Sequence, residues 1–187
     1  MPAIDISFLN KELEISMKDY PSFVESGTYK GESIFNVEPY FDKLYTIEIK
    51  KEFYDEVRSR YAGDKITFLL GDSSTLIGTV CSSLTENTIF FLDGHWSSDG
   101  TGKGIKDCPL YEELQSIMTE LKQKAIVIID DVRLFGKGPN NGNEVCNWED
   151  INTSRILEIV GSRLEKCYYR SSELHSRDRL ILHLYEK

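Results

Sequence analysis

The stretch AIVIIDDVRLFG, residues 125–136, decides the reading of the chain: five apolar residues run uninterrupted into two adjacent carboxylates, Asp130 and Asp131. A continuous apolar run bounded by charge is the pattern of a strand buried on both faces, as in a parallel sheet covered by helices. The two acids then fall at the carboxyl end of that strand, and open α/β sheets bind their ligands outside those ends. A helix cap or a turn, where Asp is common, is the competing reading.

On either side of this run, strand-like and helix-like segments alternate. Upstream, FLNKELEISMKDYP (8–21) predicts an opening helix, an extension covering residues 1–20. Phe23 to Glu25 predicts a first strand, followed by a glycine-bearing turn and a helix starting at 31–33. KLYTIEI (43–49), KITFLLGD (65–72) and NTIFFLDGH (87–95) predict further strands, separated by helices over 50–63 and 73–84. Gly63 is the expected stop of the first of these helices. A helix over 108–123, with Pro109 in its first turn, leads to the 125–131 strand, and a last helix is expected over 151–164. KCYYRSSE and RLILHLYEK have no room for a helix between them, so they form an antiparallel hairpin at the sheet edge. Together these segments predict a single α/β domain over 1–187, a doubly wound, mostly parallel seven-stranded sheet with an antiparallel C-terminal hairpin. Two glycine-rich or polar loops, 96–107 and 136–150, are long enough to carry function.

Composition narrows the classes. The chain has 187 residues and a formal charge of -9, which offers no general basic surface and argues against nucleic acid as the main partner. No run reaches the roughly 20 apolar residues of a membrane helix. Cys81, Cys108, Cys146 and Cys167 stand far apart, with no C-x-x-C pair and no secretory leader, which predicts reduced thiols and a cytoplasmic setting.

Four successive strand ends carry an acid: Glu48, Asp72, Asp93 (with His95 two residues on) and Asp130. Each fits a helix cap or an edge position taken alone; together they favour one shared crevice. ESGTYKGES (25–33) lies between the first strand and the first helix, where Gly27 and Gly31 would expose backbone to a nucleotide-type ligand, or simply serve a turn. It is neither G-x-G-x-x-G nor a G-K-[ST] phosphate loop, which counts against a nicotinamide dehydrogenase and a nucleotide triphosphatase. Glu48, 21 residues beyond Gly27, is placed to accept hydrogen bonds from a ribose.

In order and spacing these residues resemble the class I S-adenosylmethionine-dependent methyltransferases: E-S-G-T-Y-K-G looks like that family's E-x-G-x-x-x-G loop, and the closing hairpin matches its sheet. The resemblance implies that S-adenosylmethionine is bound by Glu25, Gly27, Thr28, Tyr29, Gly31, Ser33, Glu48, Asp72, Ser73 and Asp93. FLDGH paired with VIIDDV is most similar to the metal-dependent sugar O-methyltransferases of the macrocin O-methyltransferase type. That similarity implies that Asp93, Asp130 and Asp131 hold Mg²⁺ (or Mn²⁺), an arrangement suited to a hard cation that keeps several waters. A cation would also explain how three crowded carboxylates coexist. It implies a sugar or glycan hydroxyl as acceptor. His95, by its ordinary pKa, is the first candidate for the base and Asp93 the next, the bland reading of His95 being a bond to a backbone carbonyl. In macrocin-type enzymes an acid more often follows the Asp-Gly.

The rival readings are a catechol-like small-molecule O-methyltransferase and a non-catalytic Mg²⁺-binding receiver-like module, the latter expecting its Asp pair after the first strand. Trp96 and Trp148 are candidates for sugar recognition or for loop anchoring. Lys103, Lys106, Arg133 and Lys137 are candidates for a local positive rim or for ordinary loop charges, and His175 and His183 are read as structural. The oligomeric state is left open by the sequence.

Overall fold

The computed structural model describes residues 3–98 and 100–187. Strands β1 (Ser22–Ser26), β2 (Lys43–Glu48), β3 (Ile66–Leu70), β4 (Thr88–Leu92), β5 (Ala125–Ile129), β6 (Leu164–Arg170) and β7 (Arg179–Leu184) form one seven-stranded sheet in the order β3-β2-β1-β4-β5-β7-β6. The first five pair in parallel, and β7 runs antiparallel to both β5 and β6, as the sequence predicts. The order reverses between β1 and β4, which opens a crevice at their carboxyl ends.

Both faces of the sheet are covered because its strands are apolar on both sides. Alternate residues point to opposite faces. Val24, Phe90, Val127 and Ile129 meet α4 (Ser73–Ser83), α5 (Leu110–Glu120) and α6 (Thr153–Val160) through Ile77, Leu114, Ile117 and Ile156. Phe23, Ile89, Phe91, Ile126 and Ile128 meet the opposite layer, built from α1 (Ile6–Glu12), α2 (Glu32–Val37) and the Phe41 turn. Every residue of β1, β4 and β5 is buried.

Several expectations shift in detail. The opening helix stops at Glu12 because Glu14 adopts a left-handed conformation (φ 55°), and Met17–Asp19 forms only a short turn. Gly63 caps nothing: α3 (Lys51–Ser59) ends four residues earlier on Arg60, which stays right-handed. Pro109 stands at the cap of α5 instead of inside its first turn.

The segment before β1 is strapped across the far edge of the sheet. The Tyr168 hydroxyl on β6 lies 3.1 Å from the carbonyls of Glu12 and Leu13 and 2.9 Å from His183 Nε2. Arg170 pairs with Glu12 (2.7 Å) and Glu14 (2.8 Å), and Lys166 pairs with Glu14. His183 is thus structural, remote from the crevice. Cys81, Cys108, Cys146 and Cys167 are free thiols. Among the described residues no helix is long and apolar enough to cross a membrane.

Candidate active site

The crevice begins at the turn after β1. Gly27 has φ 84°, and a Cβ there would strike the carbonyl of Asp93, so only glycine lets the β1 and β4 turns approach. The Gly27 and Thr28 amides donate to the Ile47 carbonyl at 3.0 and 3.3 Å, which ties this turn to β2. Tyr29, itself left-handed at φ 48°, donates its amide to Glu48 Oε2 at 2.8 Å, while the Lys50 amide donates to Oε1 at 2.8 Å. Glu48 is therefore fixed by backbone, with its remaining lone pairs free for a ligand. Burial raises its pKa against those backbone bonds.

An open cleft of about 560 Å³ follows, lined by Gly27, Tyr29, Glu48, Asp72, Ser73 and Asp93 among others. Six of the ten residues expected to bind a cofactor thus face one space. The other four lie behind it. Glu25 is buried and accepts from the Thr46 hydroxyl at 2.8 Å; burial pushes its pKa well up. Thr28 meets the same Thr46 hydroxyl, Gly31 (φ 77°) starts the six-residue α2, and Ser33 accepts the Ile4 amide at 3.2 Å. Asp72 caps α4, accepting from the Ser74 amide at 2.9 Å.

Loop 96–107 lies over the mouth of the cleft. Trp96, Thr101, Gly102, Gly104 and Lys106 contribute to its lining. A Cβ at Gly102 would collide with Ile49, and one at Gly104 would sit 2.5 Å from Asp72 Oδ2. Lys50 Nζ holds the Gly100 carbonyl at 2.6 Å.

The second part of the site lies at the ends of β4 and β5. His95, its side chain 5 % exposed, stands between two carboxylates: Nε2 is 3.0 Å from Asp131 Oδ2 and Nδ1 is 3.4 Å from Asp93 Oδ1. Burial opposes its protonation, but Asp93, Asp131 and Asp130 outweigh burial and raise its pKa. Burial likewise raises Asp93, with His95 pulling the other way. Asp131 adopts φ 61° and holds Arg133, whose guanidinium also reaches Asp178 at 2.8 Å. Asp130 turns toward Arg179 at 3.3 Å, and burial followed by the Asp93 charge pushes its pKa up.

The carboxylates do not form one simple triad. Asp93, His95 and Asp131 bring ligand atoms within 4.8 Å of one another, and Asp130, Asp131 and Asp178 form a second such group. Asp131 is common to both. Asp93 Oδ1 faces the His95 imidazole, whereas Asp130 Oδ2 is buried without a hydrogen-bond partner, the state of an oxygen that a ligand would complete. Oxygen donors with one adjacent imidazole fit a divalent cation such as Mg²⁺ or Mn²⁺.

Three of the four candidates for a positive rim, Lys103, Lys106 and Arg133, are paired with acids. Lys103 pairs with Asp107 (2.8 Å), Lys106 pairs with Glu112, and Arg133 is taken by Asp131 and Asp178. Trp148 is 3 % exposed, packed edge-on to His95 at 4.8 Å and stacked on Phe135 at 6.1 Å, so it anchors loop 136–150 beneath the surface. Trp96 remains partly exposed in the cleft, with Lys103 Nζ 3.9 Å from its ring centre.

Two residues that complete the site escape a strand-end reading. Asp178, fully buried at the start of β7, accepts from the Arg133 amide (3.2 Å) and the Ser172 hydroxyl (2.5 Å). Glu113 on α5 is also buried. Its signal is in the sequence, since Leu110, Glu113, Leu114 and Ile117 fall on one helical stripe.

No known family's sequence model matches the chain, and no curated protein matches it in sequence. Solved structures do resemble it. The O-methyltransferase TomG from Streptomyces achromogenes, involved in tomaymycin synthesis and solved with S-adenosylmethionine, superposes with a TM-score of 0.65 at 15 % identity, covering 100 % of this chain and 92 % of that one. The N-methyltransferase NodS from Bradyrhizobium japonicum gives 0.58 at 12 % identity, with 97 % and 98 % covered. An rRNA methylase from Streptococcus thermophilus gives 0.52 at 14 %, with 90 % and 89 % covered. These proteins differ in acceptor and share an architecture, the seven-stranded α/β Rossmann-like fold of methyltransferases, and that is the fold of this chain.

Proposed function

We propose that the chain is an S-adenosylmethionine-dependent O-methyltransferase acting on a hydroxyl of a sugar or glycan with the help of Mg²⁺ or Mn²⁺. The observation that carries this reading is His95, buried between Asp93 and Asp131 where the cleft meets a second chamber at the ends of β4 and β5. Glu48 would hold the ribose, with Gly27 and Tyr29 giving backbone beside it and Asp72 and Ser73 flanking the adenine end.

His95 takes the acceptor hydroxyl's proton at Nδ1, the nitrogen farther from its carboxylate. Asp131 accepts the Nε2 proton at 3.0 Å and stabilises the imidazolium that forms. Asp93, Asp130 and Asp131 would hold the divalent cation, with the unpartnered Oδ2 of Asp130 as a free ligand position. When bound, S-adenosylmethionine supplies the electrophilic methyl group and the cation lowers the hydroxyl's pKa. The paired state of Lys103, Lys106 and Arg133 favours a neutral acceptor over a phosphorylated one.

One observation favours the catechol-like alternative. The second chamber, lined by Leu92, Cys108, Pro109, Leu110, Ile129 and Trp148 beside its acids, presents an apolar wall next to His95.

The test is calorimetric titration with S-adenosylhomocysteine, with Mg²⁺ and with a chelator, followed by methyl-transfer assays on sugars and a catechol. Binding is expected in both conditions and transfer only with the cation. Glu48→Ala should weaken binding by about 1–3 kcal/mol through loss of a buried acceptor. No heat with the unaltered chain overturns the cofactor site, and transfer that survives the chelator overturns the metal's role.

A further inference from the structure

Glu113 is among the buried carboxyls at the crevice to which the mechanism above gives no task. Glu113 is 1 % exposed, and its Oε1 has no hydrogen-bond partner. It lies directly behind Gly94: a Cβ on Gly94 would sit 3.1 Å from Oε1 and 3.0 Å from the Ser26 hydroxyl. Gly94 lines the main cleft, and Glu113 lines the smaller chamber behind it. The carboxyl therefore sits one residue beneath the floor of the cleft, where β1 and β4 part.

The charges acting on Glu113 are like its own. Asp72 and Glu112 raise its pKa after burial has done so, the neighbouring Ser73 and Ser26 hydroxyls hold it down, and the result is a value of about 7. Burying a carboxyl without a cation destabilises a fold, and a glutamine of the same shape would not carry that cost. A charge kept under a ligand-lining glycine, with one oxygen on that side beside the Ser26 hydroxyl, acts most strongly on the charge of whatever fills the cleft.

Resting on the proposed methyltransferase reading, we infer that Glu113 is a specificity residue that makes the cleft prefer the cationic sulfonium of S-adenosylmethionine over the neutral thioether of S-adenosylhomocysteine. In the reaction the sulfonium C–S bond breaks, its electron pair stays on sulfur, the methyl carbon bonds to the acceptor oxygen, and the hydroxyl proton leaves to the base. The cofactor thereby loses its positive charge. Glu113 then attracts the substrate form and not the product form, so methyl transfer itself loosens the spent cofactor.

The experiment measures dissociation constants for both ligands by calorimetry, at a pH above the carboxyl's value of about 7, in the unaltered chain, Glu113→Gln, Glu113→Asp and the neighbouring control Glu112→Gln. Glu113→Gln should lower the preference for S-adenosylmethionine about fivefold, through weaker binding of that ligand alone. Glu113→Asp and Glu112→Gln should keep the preference. An unchanged ratio in Glu113→Gln, or equal weakening of both ligands, overturns the proposal while leaving the cofactor site intact. Absence of binding of either ligand to the unaltered chain overturns the cofactor reading and this proposal with it. A second measurement needs no variant: a buried charge is poorly screened, so the preference of the unaltered chain should persist in high salt, and its collapse to equality overturns the proposal.

Discussion

The two ends of the parallel sheet treat buried polar groups in opposite ways. At the amino end Arg163, 7 % exposed, spends its guanidinium on three backbone carbonyls: Nε on Tyr185 (2.9 Å), Nη1 on Leu121 (2.8 Å) and Nη2 on Gln123 (2.8 Å). One side chain closes the end of α5, the approach to β5 and the exit of β7. At the carboxyl end the balance is reversed. Of the buried side-chain polar atoms without a hydrogen-bond partner among the described residues, those of Ser26, Glu113, Asp130 and Trp148 lie there, against that of Gln123 at the amino end. Unpartnered polar groups gather where a ligand would complete them.

The sharpest way to break this contrast is at His95. His95→Gln should lower kcat roughly 10²–10⁴-fold as loss of a general base, while the dissociation constant for S-adenosylhomocysteine stays unchanged. Asp93, Asp131 and Asp130 hold the His95 pKa above its ordinary value in the metal-free chain, and a divalent cation on those carboxylates would offset their charge and lower it again. Full activity in the variant removes His95 from the chemistry.

At the opposite end, Arg163→Met should destabilise the chain by about 3 kcal/mol by orphaning buried carbonyls, as read by urea unfolding, and leave cofactor affinity alone. A change in affinity with no loss of stability would erase the distinction between the two ends. The smallest effect is expected at Glu113 and has the opposite sign. Its carboxyl rises from 4.5 to about 7 on folding, so the folded state holds the proton more tightly. The associated stability is fully present below 4.5 and is lost as pH rises through about 7, at most about 3 kcal/mol. Glu113→Gln should flatten that part of the stability–pH curve and be the more stable protein above neutrality. Parallel curves for the two proteins would mean that the carboxyl is not buried as described.

Much of this was legible in the sequence for a physical reason. AIVII is apolar at every position because β5 is covered on both faces, and the acids after β2, β3, β4 and β5 meet because parallel strands deliver their ends to the same side. The missing parts depend on contacts that no local pattern encodes. Asp130 and Asp131 look equivalent in sequence, yet the left-handed backbone of Asp131 turns its carboxylate to His95 and Arg133, while Asp130 faces Arg179. Lys103 and Lys106 read as a rim, but their partners Asp107 and Glu112 cancel them. Gly63 follows a helical pattern that ends at Ser59 because the chain turns on Arg60 without needing a left-handed residue.

The strap across β6 also sets an order of events during folding. Tyr168 reaches Glu12 over 156 positions of sequence, and Arg170 reaches Glu14 over the same separation. Closing so long a loop costs chain entropy that neighbouring pairings do not. The Ile4 amide, by contrast, meets the Ser33 hydroxyl only 29 positions away, and Leu9 and Leu13 pack in the same layer as Phe23 and Ile34. The same segment is thus joined by a short loop to α2 and by a very long one to β6, and the β6 contacts are among the last to form.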